Sequence, residues 1–192
     1  MRRDPSRAVH PVPESGFVVF LRVLVVLTLA LAPTAVSAAA NNPSGLPLPR
    51  FVTIRAKESN VRVGPGYQYD IAWTYLVGGI PVEIIQEFDV WRKIRDVDGS
   101  VGWVHQNMLS GTRAGYVLNT VPDKVGLRSG ASEDAGVVAW VGAGFPVKIS
   151  SCEKGWCSVV ATDHPTEGHG ASYNGFLPET ALWGVYSGEN FD

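Results

Sequence analysis

The side chains best equipped for chemistry are aromatic. Tyr67 and Tyr69 follow Gly64-Pro65-Gly66, Trp91 opens the run Trp91-Arg92-Lys93-Ile94-Arg95, and Trp73 and Trp103 lie to either side of it. A flat apolar face with a polar rim suits amide-bearing sugars or peptides, so these five rings are the candidate ligand contacts. Each ring could instead fill a small core. Trp73 and Trp103 lean toward that use, whereas Tyr67, Tyr69 and Trp91 are expected to stay open to a partner. Arg62 and Arg128 occupy matching places and could grip a carboxylate, although a surface salt bridge is the expected role.

Other chemistries find less support. Cys152 and Cys157 are the chain's two cysteines. Glu153-Lys154-Gly155-Trp156 lies between them, with Lys154-Gly155 at a turn, so a hairpin would set the two sulfurs opposite each other as a disulfide. The spacing is not that of a Cys-x-x-Cys redox pair, and no helix is at hand to lower a thiol pKa. The loop from Ala161 to Ser172 holds Asp163, His164, Glu167 and His169. Those are metal-ligand types, but not at the spacing of a helix-borne pair, and no metal or other cofactor is expected. Neither a Gly-x-Ser-x-Gly elbow nor a glycine-rich phosphate loop before a helix occurs. With 16 basic and 18 acidic side chains, the chain has a net charge of −2. No basic field exists to draw in nucleic acid.

The elements that must carry these residues read as short strands. Gly (21) and Pro (13) are frequent and only 18% of residues are charged, which favours a turn-rich β protein. No window sustains a helical period, and at most a single turn is expected near Gln106-Asn107-Met108 and Pro178-Glu179-Thr180. Asp98-Gly99 signals a hairpin with a type I′ turn. Val82 and Ile84 are read as facing inward and Glu83 as facing water, as are Val147, Ile149 and Lys148 in a later stretch.

That later stretch is a second copy. Gly79-Ile80-Pro81-Val82-Glu83-Ile84 is echoed by Gly144-Phe145-Pro146-Val147-Lys148-Ile149, and Trp91 by Trp156 at the same offset (156 − 91 = 65). Val61-Arg62 returns as Leu127-Arg128, and Gly102-Trp103-Val104 as Gly175-Phe176-Leu177. Self-similarity at a fixed period implies two copies of one module. The expected layout is a signal peptide over 1–38, a linker over 39–50, one repeat over 51–112 and a second over 113–192. The leader rests on Arg2, Arg3, Arg7 and Arg22, the apolar run Val23–Ala32, and the small residues Val36-Ser37-Ala38. It implies an exported, periplasmic protein with no membrane association once the leader is removed.

These motifs resemble the bacterial SH3 (SH3b) family, and in particular tandem-repeat exported proteins of Gram-negative bacteria. The carriers are Asn60-Val61-Arg62-Val63-Gly64-Pro65, Gly79 to Val82, Trp91 to Ile94, Gly102-Trp103-Val104 and Leu109; the second copy follows the pattern more loosely. The resemblance implies an all-β chain of two tandem SH3-like small barrels, each of five or six strands. It places Trp91 like the groove Trp of peptide-binding SH3 domains, and it implies a non-catalytic binding role toward peptidoglycan or an envelope protein or peptide. A scaffold protein without wall affinity and a cell-wall enzyme remain as alternatives.

Overall fold

The computed structural model describes residues 42–119, 123–163 and 170–191. The expected leader, the first residues of the expected linker, and His164, Glu167 and His169 lie outside the described residues.

Among the described residues, β-branched and aromatic runs cut by Gly, Pro and Asp give fourteen strands. The first seven are β1 (Arg50–Ile54), β2 (Ser59–Arg62), β3 (Ile71–Tyr75), β4 (Pro81–Phe88), β5 (Trp91–Arg95), β6 (Val101–His105) and β7 (Leu109–Ser110). The next seven are β8 (Ala114–Val117), β9 (Lys124–Arg128), β10 (Val137–Gly142), β11 (Pro146–Glu153), β12 (Trp156–Thr162), β13 (Ser172–Pro178) and β14 (Leu182–Trp183). Single 3-10 turns occupy Gln106–Met108 and Glu179–Ala181, where lone turns were expected.

The two sheets have one topology. The first runs β3-β2-β6-β5-β4-β1-β7, the second β10-β9-β13-β12-β11-β8-β14. Adding seven to each strand number converts the first order into the second. Each sheet curls around its own core: Tyr75 of β3 and Leu109 of β7 meet in one cluster, and Val141 of β10 and Leu182 of β14 in the other. The chain is therefore all-β with two SH3-like barrels. Each sheet has seven strands rather than five or six, because after the 3-10 turn the chain returns beside the opening strand as a two-residue pair.

Two turns show how local chemistry sets register. Lys154 (φ 52°) and Gly155 (φ 83°) both adopt left-handed backbone, which matches the twist of the β11–β12 hairpin. Cys152 then pairs directly with Cys157 and the two form the disulfide. At Asp98-Gly99 only the glycine is left-handed (φ 86°), so this hairpin does not use the type I′ turn expected from sequence. The Gly99 amide instead closes on the Asp96 carbonyl at 2.9 Å, and the Asp98 carboxylate accepts from the Ser100 amide at 2.8 Å.

The repeats lie within one compact unit. Phe51 of β1 packs edge-on against Trp183 (4.9 Å between centroids) and tilted against Tyr186 (4.7 Å). The Trp183 indole donates to the Pro81 carbonyl at 3.2 Å, and the Tyr186 hydroxyl donates to Glu83 at 2.8 Å. Arg95 holds the other Glu83 oxygen. Glu83, read as facing water, is thus buried. Its face is outside its own barrel, but the second repeat's closing segment covers it. Its counterpart Lys148 remains exposed.

Candidate functional site

The candidate site is assembled on the outer face of the first barrel. In the β5–β6 pairing Trp91 lies opposite His105 and Lys93 opposite Trp103. Directly paired residues share a sheet face, so these four form one ladder. Ile94 and Val104 point the other way, into the core. The loop between β2 and β3 folds over the end of this ladder. Tyr67 meets Trp91 edge-on at 5.1 Å and lies over His105 at 6.0 Å, and Trp91 meets His105 at 5.5 Å. The result is a three-ring cluster capped by an outward tyrosine that is 71% exposed.

Arginine holds that loop in place. The Arg62 guanidinium donates to the carbonyls of Tyr69 (2.7 Å) and Tyr67 (3.3 Å), and its carbon lies 5.6 Å from the Tyr67 ring centre. Arg62 therefore clamps backbone rather than forming the expected surface salt bridge. Gly64 is required here: a Cβ would lie 2.5 Å from the Tyr69 ring. A second clamp supports the turn before Trp91. Arg92 is buried, donates to the Asp89 carbonyl (2.7 Å) and Gln106 (2.6 Å), and pairs with Glu87. Glu87 also pairs with Arg50 and accepts from the Ser44 amide and hydroxyl, which ties Asn42–Pro49 to the barrel. Burial pushes the Glu87 carboxyl up, but the bonds from Ser44 and Arg50 outweigh it and hold it below its ordinary 4.5.

The five candidate rings divide. Tyr67 and Trp91 are in contact, and Trp103 shares their face with Lys93 5.9 Å over its ring. Tyr69 is exposed, as expected, and packs on Gly64. Trp73 pairs with Val61 on the core side, meets Tyr75 edge-on at 6.2 Å, and stands apart from the cluster. Trp91, expected to be open, is only 6% exposed because Tyr67 and His105 cover it. Trp103 is also buried. His105 went unread in the sequence: a two-residue turn at Asp98-Gly99 would put position 106 opposite 91, and the observed turn, which pairs Asp96 with Ser100, shifts that register by one residue to bring His105 there.

The equivalent place in the second repeat keeps the loop and changes the rings. Arg128 donates to the Ala135 carbonyl as Arg62 does to that of Tyr69, and the amide-to-carbonyl bonds Ser132 to Gly130 and Ala135 to Ser132 repeat those of Gly66 to Gly64 and Tyr69 to Gly66. This alignment puts Glu133 where the first repeat has Tyr67, and Glu133 turns to Arg128 at 3.3 Å. An open hollow of about 310 Å³ remains, lined by Trp156, Phe176, Ser158 and the Glu153–Lys154 ion pair.

The geometry offers aromatic stacking and hydrogen bonding, with no activated nucleophile at its centre. Both cysteines of the chain are spent in the disulfide.

A family model described as "Bacterial SH3 domain" matches residues 55–111 and 121–184. No curated protein matches the chain. Among solved structures it is similar to NlpC1 from Trichomonas vaginalis (15% identity over 72% of this chain and 46% of that one, TM-score 0.31). It is also similar to NlpC2 from the same organism (15% identity, 70% and 48% coverage, TM-score 0.29). The chain spans about half the length of each.

Proposed function

Since the chain belongs to the bacterial SH3 domain family, we propose that it is an exported, periplasmic binding protein that grips peptidoglycan without catalysis. The observation that carries this reading is the Tyr67–Trp91–His105 cluster. It is a solvent-facing ring seated on two supporting rings, fixed by Arg62 below and by Arg92 beside the turn. Building an exposed tyrosine on so much supporting structure serves contact rather than core filling, since exposed rings add little to folding. The preferred guest is a short peptide: its amides and aliphatic side chains lie flat on Tyr67, and the His105 edge borders the same patch. The wall's stem peptides have that chemistry.

Co-sedimentation with purified sacculi tests the reading. Wild type is retained, and Tyr67→Ala, which removes an exposed ring without touching the core, loses most of that retention. Equal retention of the variant, or capture of an envelope protein with no retention on sacculi, overturns it and favours a scaffold role.

A further inference from the structure

Matching the repeats position by position exposes a difference outside the site described above. The pairs Val61–Trp73 and Ser59–Tyr75 of the first repeat correspond to Leu127–Ala139 and Val125–Val141 of the second. Asp96, whose amide donates to the Ser100 carbonyl, corresponds to Ala161, which pairs with Tyr173. In the first repeat Trp73 and Tyr75 fill this corner, and the Tyr75 hydroxyl donates to Asp96. In the second repeat all three groups are small and apolar, and a hollow of about 410 Å³ opens over Ala139, Val141, Ala161 and Phe145, with Asp163 on its wall. Its rim gains rings instead. Trp140 stands where the first repeat has Thr74, and Tyr173 where it has Ser100; they are 59% and 41% exposed.

We propose that this hollow is a carbohydrate-binding subsite that stacks one pyranose ring of a glycan strand on Trp140. Rings have left the interior and appeared at the mouth. Folding alone rewards the opposite exchange, because burying a ring stabilises and exposing one invites association. The volume is at the low end of small-ligand sites, roughly 300–1,000 Å³, which fits a sugar unit rather than a folded partner. A floor of methyl and phenyl groups accepts the CH face of the ring, and the aromatic rim leaves its hydroxyl and amide edge toward water. Charge narrows the guest further. The Lys124 ammonium lies 4.9 Å from the Trp140 ring centre, so the face already carries its own cation. A cationic guest meets like charge at Lys124 and an anionic one meets it at Asp163, which lines the same hollow, so a neutral sugar is the guest that suits both. The inference does not depend on the peptide-binding patch of the first repeat.

Titration of the full chain with chitotetraose, followed by tryptophan fluorescence and backbone amide NMR, tests it. Saturable binding is expected, with shifts at 138–141 and 173 rather than at 62–69 and 91. Trp140→Ala should weaken binding by about tenfold, the factor that 1.4 kcal/mol represents. Ala139→Trp, which refills the corner as in the first repeat, should abolish it. If that variant fails to fold, Tyr173→Ala at the exposed rim takes its place and should weaken binding. No saturable response from wild type, unchanged affinity in Trp140→Ala, or a response at the hollow to a sugar-free tetrapeptide instead would overturn the proposal.

Discussion

Glu87 shows how much of the first repeat hangs on single polar groups. Its carboxylate gathers Arg50, Arg92 and Ser44 on a side chain with no exposed surface. Because the folded-state pKa is lowered, the associated stability is present above the ordinary value of 4.5 and is lost as pH falls below it. Glu189, bonded by Arg113 and by the Tyr186 amide, is likewise lowered against the upward push of burial and adds to the same acid slope. Thermal melts from pH 6 to pH 3 should show a falling midpoint in wild type, and Glu87→Gln should flatten that slope while lowering stability at pH 6. At this scale the sequence was legible for residue type and poorly so for exposure. Tyr67 was expected to be open and is. Trp91 was expected to be open and is covered, because a loop that folds back over a ring leaves no periodic trace. Arg62 and Arg92 were visible as charges, but nothing in their spacing said that they would hold backbone carbonyls.

Hairpins were the most legible elements, because glycine and its neighbours carry the turn geometry in their residue types. Lys154-Gly155 set the register that brings the cysteines together. Asp98-Gly99 marked a hairpin correctly but misled on its turn type, since Asp tolerates either backbone and here stays out of the left-handed region that a type I′ turn requires. The short loop closed by the disulfide constrains few residues of the unfolded chain, a contribution of about 2 kcal/mol in the chain-entropy account. Cys152 also exchanges both backbone bonds with Phe191, at 2.9 and 3.1 Å, so the hairpin anchors the closing segment. Replacing both cysteines by serine should therefore lower stability by roughly that amount. Affinity at the first repeat should be unchanged, as chemical denaturation and a sacculus assay on the same variant would report. Loss of sacculus binding with the disulfide would place the wall contact in the second repeat.

At the scale of the molecule, two modules of about 60 residues would each be marginal alone. Their contact through Phe51, Trp183, Tyr186 and Glu83 supplies burial that neither has by itself. Phe51→Ala should cost about 3 kcal/mol or more and split one unfolding transition into two, visible by calorimetry. The repeat was readable as two copies of one pattern, yet their contact was not, because alternation tells which side of a strand faces its own barrel and not what covers the other side. The exposed ring of the first repeat is proposed to grip the wall's peptides. The most direct test is an amide NMR titration of the full chain with purified stem peptides. Saturable shifts are expected at Arg62, Gly66, Tyr67, Trp91 and His105 and should vanish in Tyr67→Ala; shifts confined to other surfaces, or none at saturating peptide, would rule out peptide binding at this ring.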